Sequence, residues 1–472
     1  MIQMGEQKVM LRTAVTKLYL RLNDFRDRTY SHWRLICLFV PLFASRLLTM
    51  TMNIIDAMMV SGVHSGAMSG VSLTSNLQIV FSTIIYAFSI AASIMATQRV
   101  GRQDHQGALR IIKQSYVVCY LIALPVGAIF FFFAPQLIEL LFGAVDDPLI
   151  MEAAIISARY DAISLLLIPL LHSTPIVFTC QGKTKVTLVM NIVANVTNVA
   201  GNYLLINVFS LGVDGAKIAT LFAHFVNFFV TFAFAHSKSN PMRLTLTPFR
   251  DFLPDKTSFK RFFALGLPTG FENNLSDLAK ILVTALVTQC GAMAVNANAV
   301  AHQLTSLYVM GGCGVGSTLS IVAGHCKGAG KPEEVKYYTR LLILCSMAWQ
   351  AIFAFFIIVF REPILAGYHV EGETAKLVWE LTLPYLILGI PLWTMSYTPP
   401  NAFRACGDVR FPMVLAVSTL WICRVGVAYL IFYTLGLGIW SIWAASYVDW
   451  LARSICNLIH FKRGRWLEKK AL

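Results

Sequence analysis

The sequence predicts an all-α integral membrane protein, with twelve transmembrane helices in two six-helix lobes related by pseudo-twofold symmetry. Three observations support this fold class: the composition, the number of long apolar segments, and a repeat that relates the two halves of the chain. Of the 472 residues, 57% are hydrophobic and only 13% are charged. Soluble domains of this size do not have that balance, so the lipid bilayer is the expected solvent for most of the chain.

The apolar segments are each about long enough to cross a bilayer as one helix. Six of them predict an N-lobe at 35–236, and the other six predict a C-lobe at 262–460. A basic segment at 1–34 precedes the lobes, a charged, proline-containing linker at 237–261 joins them, and a basic tail occupies 461–472. The twelve segments are 35–61, 71–96, 114–134, 160–179, 186–207, 214–236, 262–288, 297–322, 339–360, 377–401, 411–433 and 438–460.

Basic residues outside these segments are distributed asymmetrically. The odd-numbered connections contain only Arg159, Arg361 and Lys376, whereas the termini and the even-numbered connections contain the rest. Because Lys and Arg favour the cytoplasmic side of a membrane, both termini are expected in the cytoplasm. The formal net charge of +14 therefore reflects membrane topology, and no nucleic-acid partner is expected.

The two halves of the chain repeat one another at an offset of 224–227 residues. Four pairs of features share this offset: Pro41 and Pro268, GRQDHQGALR and KGAGKPEEVK, QGKTKVT and CGDVRFP, and SLGVDGAKIAT and TLGLGIWSIWA. Since six crossings separate the copies, both copies enter the membrane in the same direction. Parallel repeats of this kind predict a cavity between the two lobes.

The chain contains none of the motifs that would indicate an enzyme or an ATP-driven pump. HExxH, GxSxG and the phosphate-binding GxxxxGK[ST] loop are absent from the sequence. The ten cysteines are scattered without a CxxC pair, which argues against a metal cluster or a disulfide framework. No enzymatic activity and no cofactor are therefore expected.

The first segment contains charged groups at depths where they are costly. Arg46 lies near its middle and Asp56 lies toward its far end. Thr49, Asn53 and Asp56 are spaced by four and three residues, which places them on one side of a helix. Such groups normally face a partner or a wet cavity. A structural salt bridge is one interpretation, and a site that binds a cation or a proton is the other.

The fifth segment presents four amides along one helical face: Asn191, Asn195, Asn198 and Asn202. Counting from the helix ends places Asp56, Asn202 and Thr220 at one level, on the outer side of the midplane. A carboxylate, the amide oxygens of Asn198 and Asn202 and a hydroxyl would make a hard-cation site, and the carboxylate could bind a proton instead. Hydrogen bonding between helices is the alternative role of the amides.

The seventh segment is the most polar of the twelve. Asp277 and Lys280 are three residues apart and could pair on one helical face. Glu272 lies at the depth of Arg46, so these two charges could form an ion pair or a gate across the cavity. The candidates for the transport pathway or for substrate contact are Arg46, Asn53, Asn195, Glu272, Asp277, Lys280, Trp393 and Tyr397. The two aromatic rings could stack on a cargo or hold a cation, although core packing is their commoner role. The twelfth segment has Asp449 and Arg453 at the spacing of an ion pair.

Seven stretches occur in an order and at spacings that are specific only in combination: NIIDAMMVSG, TQRVGRQD, QGKTKVTLVMNIVANVTNVAGNYLLI, LGVDGAKIAT, LGLPTG, GHCKGAG and NAFRACGD. In these stretches the chain resembles the multidrug and toxic compound extrusion (MATE) transporters over nearly its whole length. The resemblance implies export of organic compounds, usually cationic and aromatic, driven by inward Na⁺ or H⁺. It also implies that Asp56, Asn198, Asn202 and Thr220 occupy the cation-site positions of the N-lobe.

The sequence departs from the family pattern in both lobes. Some family members have Asp at the position of Asn202, so this chain has less negative charge there. One branch of the family has acidic residues in the seventh and tenth segments where this chain has Ser276 and Met395. The N-lobe, with Asp56, is therefore the favoured place for ion coupling.

These observations together predict a secondary antiporter that exports small organic compounds by alternating access. Na⁺ or H⁺ would be the coupling ion, a bacterial inner membrane the location, and a monomer the functional unit. A dedicated exporter of a self-made natural product is one alternative. A flippase for a lipid-linked saccharide is another, but it would favour a cationic cavity, and only Arg46, Lys280 and Arg424 lie deep within the predicted segments.

Overall fold

The computed structural model describes residues 28–61, 65–142, 148–245 and 247–469, and within these ranges the chain is helical without β-strands. Most of the predicted N-terminal segment 1–34 therefore lies outside the described residues, as does the end of the predicted tail. Twelve long helices match the predicted segments one by one. Their bounds are α1 His32–Ser61, α2 Ser65–Gly101, α3 His105–Phe132, α4 Pro148–Ser173, α5 Thr184–Val208, α6 Gly212–His236, α7 Lys256–Gln289, α8 Ala292–Gly328, α9 Pro332–Val359, α10 Gly372–Tyr397, α11 Arg410–Leu435 and α12 Ile439–Arg463.

Shorter helices and two π-helical turns complete the described chain. The short α-helices are Ala134–Phe142, Ile176–Thr179, Arg361–Gly367 and Pro399–Ala405, and the 3₁₀ turns are Phe249–Phe252 and Arg465–Leu467. The π-helical turns are Tyr203–Val208 at the end of α5 and Leu420–Gly426 within α11. Because α5 and α11 are equivalent helices of the two halves, this departure from α-helical geometry occurs once in each half.

Ten of the twelve helices are long and apolar enough to cross a membrane, judged over the described ranges. The two exceptions, α7 and α12, contain charged side chains: Glu272, Asp277, Lys280, Asp449 and Arg453. Each of these charges has an oppositely charged partner, as described below, and paired charges are the kind that transmembrane helices tolerate. The predicted twelve-helix arrangement therefore includes α7 and α12.

The helices pack in two groups whose contacts repeat. In the first group α2 packs against α3 and α4, α4 against α6, and α1 against α5. In the second group the equivalent contacts are those of α8 with α9 and α10, α10 with α12, and α7 with α11. Between the groups, α1 contacts α8, α2 contacts α7, and α2 crosses α8. This pattern is the one that two lobes related by a pseudo-twofold axis produce.

Both ends of the described chain lie at one face of the molecule, which we call the terminal face. Tyr30 and Leu35 pack there with Val335 and Tyr338 of α9, and Trp466 from the end of the chain joins the same apolar cluster. The linker is anchored close by, because buried Lys113 of α3 forms a 3.4 Å ion pair with Asp251. The terminal face is the one that the distribution of basic residues predicts to be cytoplasmic.

The terminal-face ends of α2 and α8 cross with their backbones in contact. A Cβ atom added to Gly328 would lie 1.9 Å from the carbonyl oxygen of Gln98, and one added to Gly101 would lie 2.3 Å from that of His325. Glycine is the residue that permits such close approach of two helix backbones. The crossing therefore depends on the absence of a side chain at these two positions.

Replacing Gly328 by alanine should destabilise the protein by roughly 1–3 kcal/mol, the usual cost of overpacking. The reason is that the added methyl group meets a backbone oxygen, which cannot rotate away, so the two helices must separate. Thermal unfolding in detergent would measure the effect. Gly367→Ala is the matched control, because a Cβ at Gly367 has no neighbour within 4 Å. Equal stability of the two variants would contradict the close crossing.

Candidate ion-coupling site and charged cavity

Asn198 and Asn202 of α5 and Thr220 of α6 form one hydrogen-bonded cluster. Asn198 Nδ2 donates to Thr220 Oγ1 at 3.3 Å, and Asn202 Nδ2 donates to Asn198 Oδ1, also at 3.3 Å. The Thr220 hydroxyl donates its own proton to the Ala216 carbonyl oxygen at 3.0 Å, so it is free to accept from Asn198. Asn198 and Asn202 are both buried. The structure thus brings together three of the side chains predicted for the cation site.

Asp56 and Asn53 belong to α1, but their side chains lie outside the described part of the structure. The helix that carries them is well placed, because α1 packs along α5 and also contacts α6. Asn195 lies on the same helix as Asn198, and its buried Nδ2 has no hydrogen-bond partner among the described residues. The position of the Asp56 carboxylate therefore stays a prediction, on a helix that borders the cluster.

A buried ion pair lies one helical turn from this cluster and was not anticipated from the sequence. Lys217 of α6, three residues before Thr220, places its Nζ 2.7 Å from Asp161 Oδ1 of α4. The side chains are 12% and 4% exposed. The second carboxylate oxygen, Oδ2, accepts from the Ser157 hydroxyl at 3.2 Å. Because both oxygens are occupied and an ammonium is adjacent, this pair is a neutral unit within the N-lobe.

The contact between α4 and α6 continues one turn deeper. Ser164 Oγ lies 3.0 Å from His224 Nδ1. Ser157, Asp161 and Ser164 are spaced by four and three residues, as expected for one face of α4. The partners of Asp161 and Ser164 on α6, Lys217 and His224, are seven residues apart and therefore also share one helical face. A row of polar side chains therefore lies along the contact between α4 and α6, beside the asparagine cluster.

Glu272 of α7 pairs with Arg404 rather than with Arg46, and the predicted Arg46–Glu272 pair is wrong. Glu272 Oε1 accepts from Arg404 Nη2 at 2.5 Å, and the two side chains are 13% and 21% exposed. Arg404 reaches α7 because α10 ends at Tyr397 and the chain turns into the short helix Pro399–Ala405. Arg46 is exposed and forms no ion pair with the described residues.

The Glu272–Arg404 pair lines a small open cavity of about 40 Å³ in the C-lobe, together with Tyr397 of α10, Pro412 of α11, and Arg453 and Asn457 of α12. The expected Asp449–Arg453 pair is present at 2.7 Å, and its side chains are 0% and 8% exposed. The Arg453 guanidinium lies 5.4 Å from the centre of the Tyr397 ring. The walls of the cavity therefore combine polar and apolar side chains, and each of its two arginines is paired with a carboxylate.

Several polar atoms around this cavity are buried without a hydrogen-bond partner in the described chain. They are Glu272 Oε2, Arg404 Nε, Asp449 Oδ2 and Asn457 Oδ1. Buried polar groups normally find a partner, often an ordered water molecule. The cavity thus has the donors and acceptors to hold water or a small polar group.

The remaining candidates differ in exposure. Asp277 and Lys280 pair at 2.9 Å, as predicted, but Lys280 is 71% exposed, so this pair is a surface feature. Trp393 is buried and stacks on Tyr397 with ring centres 5.0 Å apart. Trp393 therefore packs in the core, whereas Tyr397 reaches the cavity wall.

Buried basic residues are more numerous than the sequence indicated. Lys113, Lys217, Arg404 and Arg453 are all largely buried, although Arg46, Lys280 and Arg424 were the only deep cations expected. Each of the four has a carboxylate partner, so their charge is neutralised. The lobe interiors are therefore not strongly cationic in the described structure.

The donor set suits an alkali-metal ion or a proton better than a transition metal. No group of three or more His, Cys, Asp or Glu side chains converges on one point in the described ranges. The asparagine cluster offers amide and hydroxyl oxygens, which are hard ligands. Oxygen ligands of this kind suit an alkali-metal ion better than a transition metal.

Comparison with known proteins identifies the family. The MatE family model matches residues 41–204 and 268–430, so its two copies begin at Pro41 and Pro268, as in the predicted repeat. The "Uncharacterized transporter YisQ" of Bacillus subtilis is 23% identical over 94% of this chain and 96% of its own length. The "Probable multidrug resistance protein NorM" of Thermotoga maritima is 24% identical over 93% of both chains.

Solved structures share the fold. A multidrug resistance MATE family transporter in an outward-facing conformation superposes with a TM-score of 0.81 at 19% identity, over 93% of this chain and 96% of that one. A MATE structure in a bent conformation gives the same TM-score at 18% identity, over 92% and 94% of the two chains. The chain is thus a membrane transporter and not an enzyme, and it belongs to the MATE family of multidrug efflux transporters.

Proposed function

We propose that this transporter is a secondary antiporter that exports organic compounds and is driven by inward H⁺ or Na⁺ bound in the N-lobe. The coupling group is Asp56, and Asn198, Asn202 and Thr220 are its neighbours. The observation that carries this proposal is the buried, hydrogen-bonded cluster of these three side chains beside α1. Amide and hydroxyl groups that already hold one another in place can receive an ion or a protonated carboxylate with little rearrangement.

Transport follows from alternating access between two conformations. Ion binding at Asp56 from the outer side favours one conformation, and cargo binding favours the other. Each species shifts the equilibrium only by its difference in affinity for the two states. Because ion and cargo favour opposite conformations, binding of one weakens binding of the other even where their sites are separate. The transporter therefore exchanges the driving ion for cargo.

The cargo is an organic molecule that leaves the cytoplasm across a bacterial inner membrane, with both termini of a monomeric transporter on the cytoplasmic side. The names of the NorM relatives support drug-like cargo. A dedicated exporter of a natural product made by the same cell has the same requirements. A lipid-linked saccharide flippase is less well supported, because the buried basic side chains are paired with carboxylates.

Asp56→Asn should abolish gradient-driven efflux, with a loss on the order of tenfold or more, which is the usual size of coupling between sites. The experiment uses proteoliposomes with an imposed H⁺ or Na⁺ gradient and ethidium as the cargo probe. The gradient that drives ethidium movement in the wild-type protein identifies the coupling ion.

Glu362→Gln is the control, because this carboxylate belongs to an exposed ion pair in the short helix Arg361–Gly367, outside the predicted site. Its efflux should match that of the wild-type protein. Full ion-driven efflux by Asp56→Asn would refute coupling in the N-lobe. Efflux that is insensitive to both gradients in the wild-type protein would refute the antiporter itself.

A further inference from the structure

One histidine connects three separate parts of the chain at the terminal face. His325 lies near the end of α8, and its ring Nε2 is 2.6 Å from the carbonyl oxygen of Cys180, in the connection between α4 and α5. Its Nδ1 is hydrogen-bonded to the hydroxyl of Tyr30, just before α1. His325 is 8% exposed and Tyr30 is 3% exposed. A single buried ring thus spans the boundary between the two halves of the protein.

The two partners assign the roles of the ring nitrogens. A carbonyl oxygen can only accept a hydrogen bond, so Nε2 must be the nitrogen that carries hydrogen. In a neutral imidazole the other nitrogen, Nδ1, is then an acceptor, and the Tyr30 hydroxyl donates to it. Both nitrogens of His325 are therefore occupied, one by each neighbour, and the ring fills the space between them.

Tyr30 is itself held firmly against the second half of the chain. Its N–H donates to the Tyr338 hydroxyl at 2.8 Å, and that hydroxyl lies 2.9 Å from the Tyr30 carbonyl oxygen. The preceding residue, Thr29, donates its N–H to Glu334 at 3.1 Å. Residues 28–30 therefore bind α9 as a strap, although they lead into α1 of the first half.

A second hydrogen bond crosses the same boundary nearby. Gln98 of α2 is fully buried, and its Nε2 donates to the Ala405 carbonyl oxygen at 2.7 Å. This contact lies beside the close crossing of α2 and α8 at Gly101 and Gly328. At the terminal face the two halves are consequently held together by buried hydrogen bonds as well as by the close packing of helix backbones.

We propose that His325 is the central positioning residue of an inner gate, which consists of His325, Tyr30 and the Cys180 carbonyl. The inference rests on the alternating-access antiporter proposed above, because only such a cycle requires the two halves to separate at the terminal face. The gate stabilises the conformation that is closed at this face. Opening toward the cytoplasm breaks the hydrogen bond from the His325 ring to Cys180 and leaves a buried carbonyl oxygen to be hydrated, whereas Tyr30 stays with the second half and holds the ring in place.

Three natural cysteines report on this gate. Cys180, Cys326 and Cys406 are adjacent in sequence or space to its hydrogen bonds, and all are 0% exposed. Thiol alkylation requires an exposed sulfur, so each reacts only when the terminal face opens. Cys119 is also 0% exposed but lies in the core between α2 and α3, away from the gate. It reacts only when the N-lobe itself unfolds.

The test measures alkylation rates in the full chain, by mass spectrometry of peptides after treatment with N-ethylmaleimide. His325→Phe keeps a ring but removes both hydrogen bonds, and Tyr30→Phe removes only one. In His325→Phe the alkylation rate of Cys180 should rise about tenfold or more, because the loss of a buried hydrogen bond changes an equilibrium by roughly that factor. In Tyr30→Phe the rise should be smaller. Cys119 should remain as slow as in the wild-type protein.

His460→Phe is the matched control. His460 is a partly buried histidine near the same end of the molecule, and its Nε2 bonds Asp408 at 2.9 Å within the second half. Its replacement should leave the Cys180 rate unchanged. A wild-type Cys180 rate in both gate variants would overturn the proposal, as would a parallel rise at Cys119 in both. The assay uses neither a driving ion nor a cargo, so its outcome is independent of the Asp56 experiment.

Discussion

Replacing Lys217 by methionine should lower the free energy of unfolding by about 3–5 kcal/mol, the range observed when one partner of a buried ion pair is removed. Asp161 would remain with its side chain 4% exposed and without the ammonium that now lies 2.7 Å from Oδ1. Methionine retains the length and apolar character of the lysine stem, so little of the loss would come from a cavity. A denaturant titration in detergent at neutral pH measures the effect.

Two further variants separate the ion pair from other causes. Lys336→Met removes the ammonium of an exposed pair with Glu333 at the start of α9 and should cost at most about 1 kcal/mol, as surface pairs do. The double variant Lys217→Met, Asp161→Asn should recover part of the loss, because no buried charge is left unpaired. If Lys217→Met were no more destabilising than Lys336→Met, then the Lys217–Asp161 pair would not be buried as the structure indicates.

Much of the fold could be predicted from the sequence, because hydropathy and the repeat act over long stretches of chain. The helix ends were less predictable, since apolar character stops at the membrane surface while helices continue into water. Segment 262–288 was predicted where α7 runs from Lys256 to Gln289. Likewise, α3 begins at His105, before its predicted segment, because the Asp104 side chain accepts the Gly107 N–H at 2.8 Å and caps the helix.

Ion pairs within one helix could also be predicted, and pairs between helices could not. Asp277–Lys280 and Asp449–Arg453 follow from spacings of three and four residues along a helix. The Lys217–Asp161 and Glu272–Arg404 pairs join residues that are far apart in sequence. Arg404 lies just beyond the predicted segment 377–401, whereas in the structure the break after Tyr397 turns it back into the lobe. Its partner is therefore set by tertiary packing and not by depth along a segment.

The inner gate illustrates a different limit of sequence analysis. Tyr30 precedes the first apolar segment, and His325 stands at the end of the eighth, where polar residues are ordinary. Their contact depends on how the two halves close on one another. The sequence nevertheless contains an indication of the close helix crossing beside the gate, because Gly101 and Gly328 belong to the repeated motifs GRQDHQGALR and KGAGKPEEVK. Repeated glycines at equivalent helix ends are consistent with a close crossing near the symmetry axis.

Glu272→Gln and Arg404→Gln should each lower the free energy of unfolding by roughly 3 kcal/mol, because each leaves the opposite charge largely buried beside the C-lobe cavity. Arg404 would lose the carboxylate oxygen that now lies 2.5 Å from Nη2. In the converse variant Glu272 would retain two oxygens without a partner in the described chain, since Oε2 already lacks one. Denaturant titrations of both variants measure these losses.

A double-mutant cycle then distinguishes this pair from the one expected from sequence. Combining Glu272→Gln with Arg404→Gln should give a loss smaller than the sum of the two single losses, by about 1–3 kcal/mol, as for residues in direct contact. Combining Glu272→Gln with Arg46→Gln should be additive within about 0.5 kcal/mol, because Arg46 is exposed and has no ion-pair partner among the described residues. If the effects of Glu272→Gln and Arg46→Gln were strongly coupled and those of Glu272→Gln and Arg404→Gln were additive, then Glu272 would pair with Arg46. Glu272 would then face the cavity between the two lobes. The C-lobe cavity would then lose the carboxylate that lines it, and Arg404 would carry an unpaired positive charge there.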